Sequence, residues 1–340
     1  ILAYASLSGS DYFHLLIDRK MKRFGMAGNI SRVHFELNAA SSLEAIASDI
    51  GTNETFKKVR SIRYQHRWPL FSVWKESSAV SDNITIHQDL SESEFKSTIL
   101  NRKVDNKTGL VWIDLCQLEN GSKHAVISMH HALFDHQGMM NFIEALNHNF
   151  SGPLFRKSEP EALVNMIING AVMNYNLFRR SVWKFGSLFQ NERPSVITPK
   201  YEVLKFTKDE AQDIAENAWN AGSRVGQSAY YVSVVARSFQ QLFEDRKQNS
   251  ENLWFSIPHN QRRLGTTGHL ASNKLSFLFF KLTSNDLKTT KGTVESVLEQ
   301  VKEQIKFRSA DKYVDMMKVM RIIPMPVYEG MVSVPSKGKL

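Results

Sequence analysis

Cysteine is nearly absent: Cys116 stands alone in 340 residues. No internal disulfide can form, a cysteine-rich zinc module is excluded, and a reducing compartment is the expectation. Long apolar runs are missing as well. The longest uncharged stretch, residues 162–178, carries Asn165, Asn169, Asn174 and Asn176 and falls short of the roughly 20 mainly apolar residues that a spanning helix needs. Acidic residues are the scarcer charge, 34 against 43 Lys plus Arg, which gives a formal charge of +9 and a pI near 9.4. That excess suits an anionic partner, such as a phosphate-bearing co-substrate or an acidic membrane face, and selects none of them. No zinc-finger or RNP-like motif accompanies the charge, so nucleic-acid binding is not expected. The chain opens on Ile1 with no signal-peptide pattern, and a natural N-terminus upstream of Ile1 is expected.

What is present suffices for a large core. Apolar residues make up 42% and 21 of them are Phe, which excludes a wholly disordered chain. The length predicts two domains or one two-lobed unit. Residues 31–37 (SRVHFEL) alternate like a strand, 42–64 read as one helix, and 71–74 and 84–87 as short strands. Residues 91–100 read as a helix opened by Ser91 and Glu94 at capping-box spacing. The clearest local structure follows. Residues 110–118 and 123–129 flank Asn120-Gly121, a strong hairpin signal that predicts a type I′ turn with positive φ at both central residues. The second strand runs into His130-His131, and 138–149 read as a helix.

Residues 156–200 read as a helical connector, with a helix from Pro160 to about Gln190 rich in Met, Phe and Trp and carrying Arg179, Arg180 and Lys184. Beyond it, 201–206 read as a strand, 208–221 as a helix closed by Gly222, and 228–245 as a helix. Residues 253–257 read as a strand stopped by Pro258, 274–282 as an apolar strand buried on both faces, and 293–307 as an amphipathic helix. The predicted organisation is a lobe over 1–155, the connector over 156–200 and a second lobe over 201–340.

Chemistry concentrates in the segment from Ser128 to Gly138 (SMHHALFDHQG). Neighbouring side chains at a strand end point to opposite faces, so one His can face a cleft while the other packs. A neutral His at a cleft can take a proton from a hydroxyl, amine or thiol near pH 7. Asp135, four residues after His131, either sets a tautomer or pairs with an Arg. Gly138 permits a tight helix entry. No G-x-S-x-G elbow accompanies the His pair and Cys116 lies within a strand, so a covalent Ser or Cys mechanism has no support. Two ordinary strand-end histidines bonded to backbone are the plain alternative. A zinc site from His130, His131, Asp135 and His136 is disfavoured, because adjacent His side chains diverge and no H-E-x-x-H motif exists; no metal is expected.

His130-His131-Ala-Leu-Phe-Asp135 resembles the HHxxxD(G) signature of the CoA-dependent acyltransferase superfamily, which includes chloramphenicol acetyltransferase, peptide-synthetase condensation domains and wax ester synthase/diacylglycerol acyltransferases. The context is similar over most of the chain. The segment from Gly109 to Trp112 leads into the hairpin where wax ester synthases carry Pro-Leu-Trp, and Arg60-Ser-Ile-Arg63 with Trp74 resembles an early Arg-containing segment. The stretch from Phe255 through Pro258 to Arg263, with 268–273, resembles the second-lobe core. His136 stands where the family carries Gly, and the late Asn/Gly-rich or DFGWG-like motifs are not found, so a truncated second lobe is expected.

The resemblance implies an α/β chain with mixed sheets, in a two-lobed chloramphenicol-acetyltransferase-like fold with an inter-lobe tunnel. It implies an acyltransferase that moves an acyl group from a thioester, acyl-CoA as co-substrate, to a hydroxyl or amine of a small-molecule or lipid acceptor. An alcohol O-acyltransferase branch is the nearer likeness, and no cofactor is permanently bound. His131 matches the general base and Asp135 its structural partner, with His130 and Gly138 supporting. Arg63 is the favoured partner of Asp135, with Arg262 and Arg263 as alternatives. Ser256, Ser272 and Asn273 are candidate oxyanion donors, and Trp112 is weighed as core packing ahead of substrate contact. CoA phosphate contact is a further reading of Arg262-Arg263. A carrier-bound donor, or a non-catalytic scaffold of the same fold, are the alternatives. The expected setting is cytoplasmic, with peripheral membrane contact through 160–190 as one option.

Overall fold

The computed structural model describes residues 5–66, 72–78, 82–148, 150–155, 163–180, 204–248, 252–262 and 269–333. Its largest sheet has four strands in the order β2-β7-β6-β5: β2 Ile30–Leu37, β5 Ile84–Leu90, β6 Val111–Leu118 and β7 Lys123–His130. Pairing is antiparallel except between β5 and β6. Val111, Ile113 and Leu115 alternate toward one face with Ile127 and Met129. There they meet Leu43 of α2 (Leu43–Thr52), Phe56 and Val59 of α3 (Glu54–Arg60) and Phe142 of α5 (His136–Asn147). On the other face Cys116, Leu118 and Val126 pack under Phe95 and Ile99, which follow the short helix α4 (Glu92–Glu94) in a π-helical turn. A smaller antiparallel sheet joins β1 (Ala5–Ser6), β4 (Val73–Glu76) and β3 (Ile62–Gln65) in the order β1-β4-β3.

Later in the chain β8 (Asn252–Asn260) and β9 (Leu275–Thr283) pair antiparallel. The apolar run of β9 is covered on both sides, as its composition requires. Phe280 and Leu282 pack with residues of α8 (Ser228–Asp245) and α9 (Thr290–Lys306). Phe277 and Phe279 pack with Met173 of α6 (Leu163–Arg180) and with Tyr313 and Met317 of α10 (Ser309–Met320). The first helix, α1 (Gly9–Arg23), lies across both regions: it packs on α10, and Tyr12 stacks on Tyr328 of α11 (Met325–Ser333). Among the described residues no helix is long and apolar enough to cross a membrane.

Several local expectations change for identifiable reasons. The helix read over 42–64 breaks at Asn53, whose side chain caps α3 by accepting from Phe56 N–H, and β3 occupies its last residues. The β6–β7 turn is not type I′: Gly121 N–H closes on Leu118 O and only Gly121 has positive φ (81°). This is the longer hairpin geometry in which a turn is followed by a left-handed glycine. β8 runs through Pro258, because an edge strand tolerates a missing N–H. Residues 204–206 form no strand, and the connector reading over 181–200 falls outside the described residues.

Gly9 sets the approach of α1 to α10. A Cβ there would lie 2.4 Å from the Met317 carbonyl carbon and 2.6 Å from Lys318 N, both backbone atoms. Gly9→Ala should destabilise the fold by about 1–3 kcal/mol, the cost of overpacking a close contact. A lowered urea midpoint at unchanged slope would register it.

Candidate active site

β7 delivers the His pair and then ends, so the two rings part company. His130 is fully buried; its Nδ1 accepts from Ala132 N–H at 3.2 Å. That fixes its proton on Nε2, which lies 3.3 Å from Asp18 Oδ1. His131, the first residue of the turn, is half-buried. Its backbone is held on both sides: N–H donates to Asn29 O at 2.9 Å, and its carbonyl accepts from Asn273 Nδ2 at 2.9 Å. Nδ1 is enclosed beside the backbone of His131 and Phe134 without a well-formed hydrogen bond. Burial lowers the His131 pKa below the usual 6.5, against the pull of those backbone groups and of Asp135. The ring is therefore neutral at pH 7 and able to accept a proton.

Asp135 is the N-cap of α5, accepting from Gly138 N–H at 2.7 Å through Oδ1. Its carboxylate faces Arg262, which donates from Nε at 3.0 and 2.8 Å, and accepts Lys274 N–H at 2.8 Å. Both side chains of the pair are 6% exposed. Arg262 also donates to His269 O at 2.6 Å and Ser272 O at 3.1 Å. The pair is thus enclosed and its polar atoms are partnered, the condition under which a buried ion pair is tolerated. A Cβ at Gly138 would lie 2.5 Å from Leu270 O, so only glycine lets α5 start this close to the segment that precedes β9. His136, which follows Asp135 where the resembling signature carries Gly, is exposed at the helix start.

A second carboxylate supports the same turn from α1. Asp11 is fully buried and accepts from Trp74 Nε1 (3.1 Å), Ser272 Oγ (2.9 Å), Asn273 N–H (2.6 Å) and Asn273 Nδ2 (3.1 Å). Burial raises its pKa, and the bonds from Asn273, from Ser8 N–H and from Trp74 oppose the rise. Asn273 Nδ2 in turn donates to the carbonyls of His131 and Ala132 at 2.9 and 2.8 Å. Ser272 is held at φ 79°, a left-handed conformation unusual for serine that the surrounding bonds maintain. Asp11, His14 and Asp18 follow at spacings of three and four, one face of α1, and that face meets the His pair.

The sequence candidates divide accordingly. His130, His131, Asp135, Gly138 and Asn273 gather at one place. Arg63 does not pair with Asp135: it is buried and donates to the backbone carbonyls of Arg60 and Ile62. Arg262 holds Asp135 instead, because the loop after β8 reaches the α5 start and β3 does not. Arg263 lies outside the described residues. Trp112 is half-buried under Arg102, 4.7 Å from guanidinium carbon to ring centre, and donates to Thr85. Ser256 is exposed in mid-β8. The Ser272 hydroxyl is spent on Asp11 and the Asn273 amide on backbone carbonyls, so neither is a ready oxyanion donor. Burial, helped by Asp114, pushes the Cys116 thiol up to about 12, which suits packing and not attack. Among the described residues no cluster of His, Cys, Asp or Glu could hold a metal. Asp11, His14, Asp18 and Asn29 were not among the candidates; the Ser8-x-x-Asp11 cap followed by Tyr12, Leu15 and Leu16 at helical spacing is the signal that marks α1.

Solved structures share this architecture. The first condensation domain of the calcium-dependent antibiotic synthetase, solved with a substrate analogue, matches 92% of this chain over 76% of its own length, with a TM-score of 0.62 and 14% identity. The protein SgcC5 from Streptomyces globisporus matches over 93% and 78%, TM-score 0.59, 12% identity. TRI101 of F. sporotrichioides, complexed with coenzyme A and T-2, matches over 95% and 77%, TM-score 0.55, 9% identity. No protein-family model matches the chain, and no curated protein does. The fold is the one seen in these condensation domains and in TRI101.

Asp18 links this site to pH. Burial alone would raise its carboxyl, but His130, Lys22 and the Asn29 N–H together bring it down to about 2. Its folded pKa lies below the ordinary 3.8, so the stability it contributes is complete above about pH 4 and lost as pH falls toward about 2. The difference amounts to about 2 kcal/mol. Unfolding free energies of wild type and Asp18→Asn, compared between about pH 5 and pH 2, should show that acid loss in the wild type only.

Proposed function

We propose that the chain is an acyltransferase that carries an acyl group from a thioester to a hydroxyl or amine, with His131 as general base and no acyl-enzyme. The observation that supports this reading is the state of His131: its pKa is lowered by burial, its Nδ1 is buried, and its backbone is fixed on both sides at the end of a buried strand. Nε2 takes the acceptor's proton as its oxygen or nitrogen attacks the thioester carbonyl. The tetrahedral intermediate collapses, the C–S bond breaks, and the leaving thiolate recovers the proton from the imidazolium, so the base is restored. Asp135 does not relay the proton in this scheme, since its carboxylate is committed to Arg262 and two backbone N–H groups. It holds the turn.

Acyl-CoA is the proposed donor, by likeness to the CoA-complexed neighbour. A donor borne on a carrier protein is the second reading, favoured by the condensation domains among the solved neighbours. The acceptor is a small-molecule or lipid alcohol or amine.

Thiol release from a panel of acyl-CoAs with pooled alcohols and amines tests the proposal. Release should require acceptor and fall by about 10²–10⁴-fold in His131→Ala. Its rate should rise with pH through a value below 6.5 and stay level through neutrality, because the neutral ring is the active form. Release equal in both proteins, with free and carrier-borne donors alike, would refute it.

A further inference from the structure

The backbone groups of His131 and Phe134 beside Nδ1 make no well-formed hydrogen bond with the His131 ring, so a further contact is needed to aim it. Catalytic imidazoles are commonly oriented by a carboxylate or carbonyl on the nitrogen opposite the reacting one. Here Nδ1 makes no well-formed hydrogen bond, and the Asp135 carboxylate is committed elsewhere. A close contact lies on the face of the ring. His14 of α1 lies parallel to His131, ring centres 4.0 Å apart and planes 12° from each other.

His14 is itself fixed. It is buried, and Asn29 Nδ2 donates both to its Nδ1 at 3.0 Å and to its carbonyl at 3.2 Å. The bond to the carbonyl identifies that Asn29 atom as the amide nitrogen, so His14 Nδ1 must accept and its proton sits on Nε2. A second proton on Nδ1 would remove the Asn29 bond, and burial penalises the charge further. His14 therefore presents a rigid, uncharged ring face. The same Asn29 accepts from His131 N–H through its carbonyl and donates its own N–H to Asp18. One residue thus fixes the backbone of the base and the ring stacked against it. Phe13 meets the edge of His14. The charged and titratable groups about the stacked pair are Asp135, His130 and, beyond Asn29 and His130, Asp18.

We infer that His14 is a positioning residue for the base: its stacked ring sets the plane of His131 and keeps water off that face. This rests on the acyltransferase reading above, and it adds a residue from α1 that the HHxxxD segment does not contain. The function needed is a flat, uncharged face, so Phe should replace His14 and Ala should not.

The test compares wild type, His14→Ala and His14→Phe. With an acyl-CoA and its best acceptor, His14→Ala should lose about 10²-fold in kcat, the scale of a misplaced reacting group, with KM little changed. Its acid limb should move up toward the ordinary His value of about 6.5 as water reaches the ring. His14→Phe should recover kcat to within about tenfold of wild type and restore the acid limb. Wild-type kcat and acid limb in His14→Ala would overturn the inference. So would a folded His14→Phe as slow as His14→Ala, since that would place the effect in the imidazole nitrogens and not in the face. The His131 pKa is also read directly by imidazole NMR in all three proteins, which separates this inference from the functional one. A rise in His14→Ala reversed in His14→Phe supports the stacking even if no donor is turned over, whereas one unchanged value in all three contradicts it.

Discussion

The ion pair between Asp135 and Arg262 is the constraint on which the site depends. Its partners are 127 positions apart, and each side chain also organises its own neighbourhood. Asp135 starts α5 and accepts the Lys274 N–H. Arg262 gathers the His269 and Ser272 carbonyls. An enclosed pair of charges costs several kcal/mol of hydration on each side, and those backbone bonds offset the cost only while all of them are in place. The turn after His131 is therefore held to the β8–β9 region through this pair and its backbone bonds. Asp11 repeats the principle from α1, fastening Ser272 and Asn273 so that the Asn273 amide can hold the carbonyls of His131 and Ala132.

This arrangement separates two tasks that adjacent residues might be expected to share. His130, buried with its tautomer fixed between Ala132 N–H and Asp18, is structural. His131, one residue past the end of β7, escapes the strand's alternation and is only half-buried. The Asp135 and Asp11 carboxylates are committed to Arg262, Ser272, Asn273 and backbone N–H groups, burial lowers the pKa of His131, and the His14 ring lies against its face.

Local features were legible in sequence because short-range physics decides them. The Ser91–Glu94 capping box, the hairpin leading to the His pair, the two-sided burial of the β9 run and the bounds of α8 all follow from residues a few positions apart. Where a second local rule competed, the reading failed: Asn53 interrupts a helix-like pattern because it caps better than it continues, and Gly121 alone supplies the positive φ that Asn120-Gly121 was expected to share. Pro258 looked like a stop but lies in an edge strand. The partner of Asp135 was not legible, since periodicity says nothing about which of several arginines crosses the fold. The α1 face of Asp11, His14 and Asp18 was missed for a related reason. Polar residues on a helix read as surface until a second region buries them.

The account is tested most directly by a double-mutant cycle on urea unfolding with Asp135→Ala, Arg262→Ala and the combined variant. Each single change should cost roughly 3–5 kcal/mol, because it strands a buried charge. The double variant should cost clearly less than the sum of the two singles, with a coupling of about 2–3 kcal/mol. Costs that simply add would contradict the claim that this pair holds the two parts of the site together.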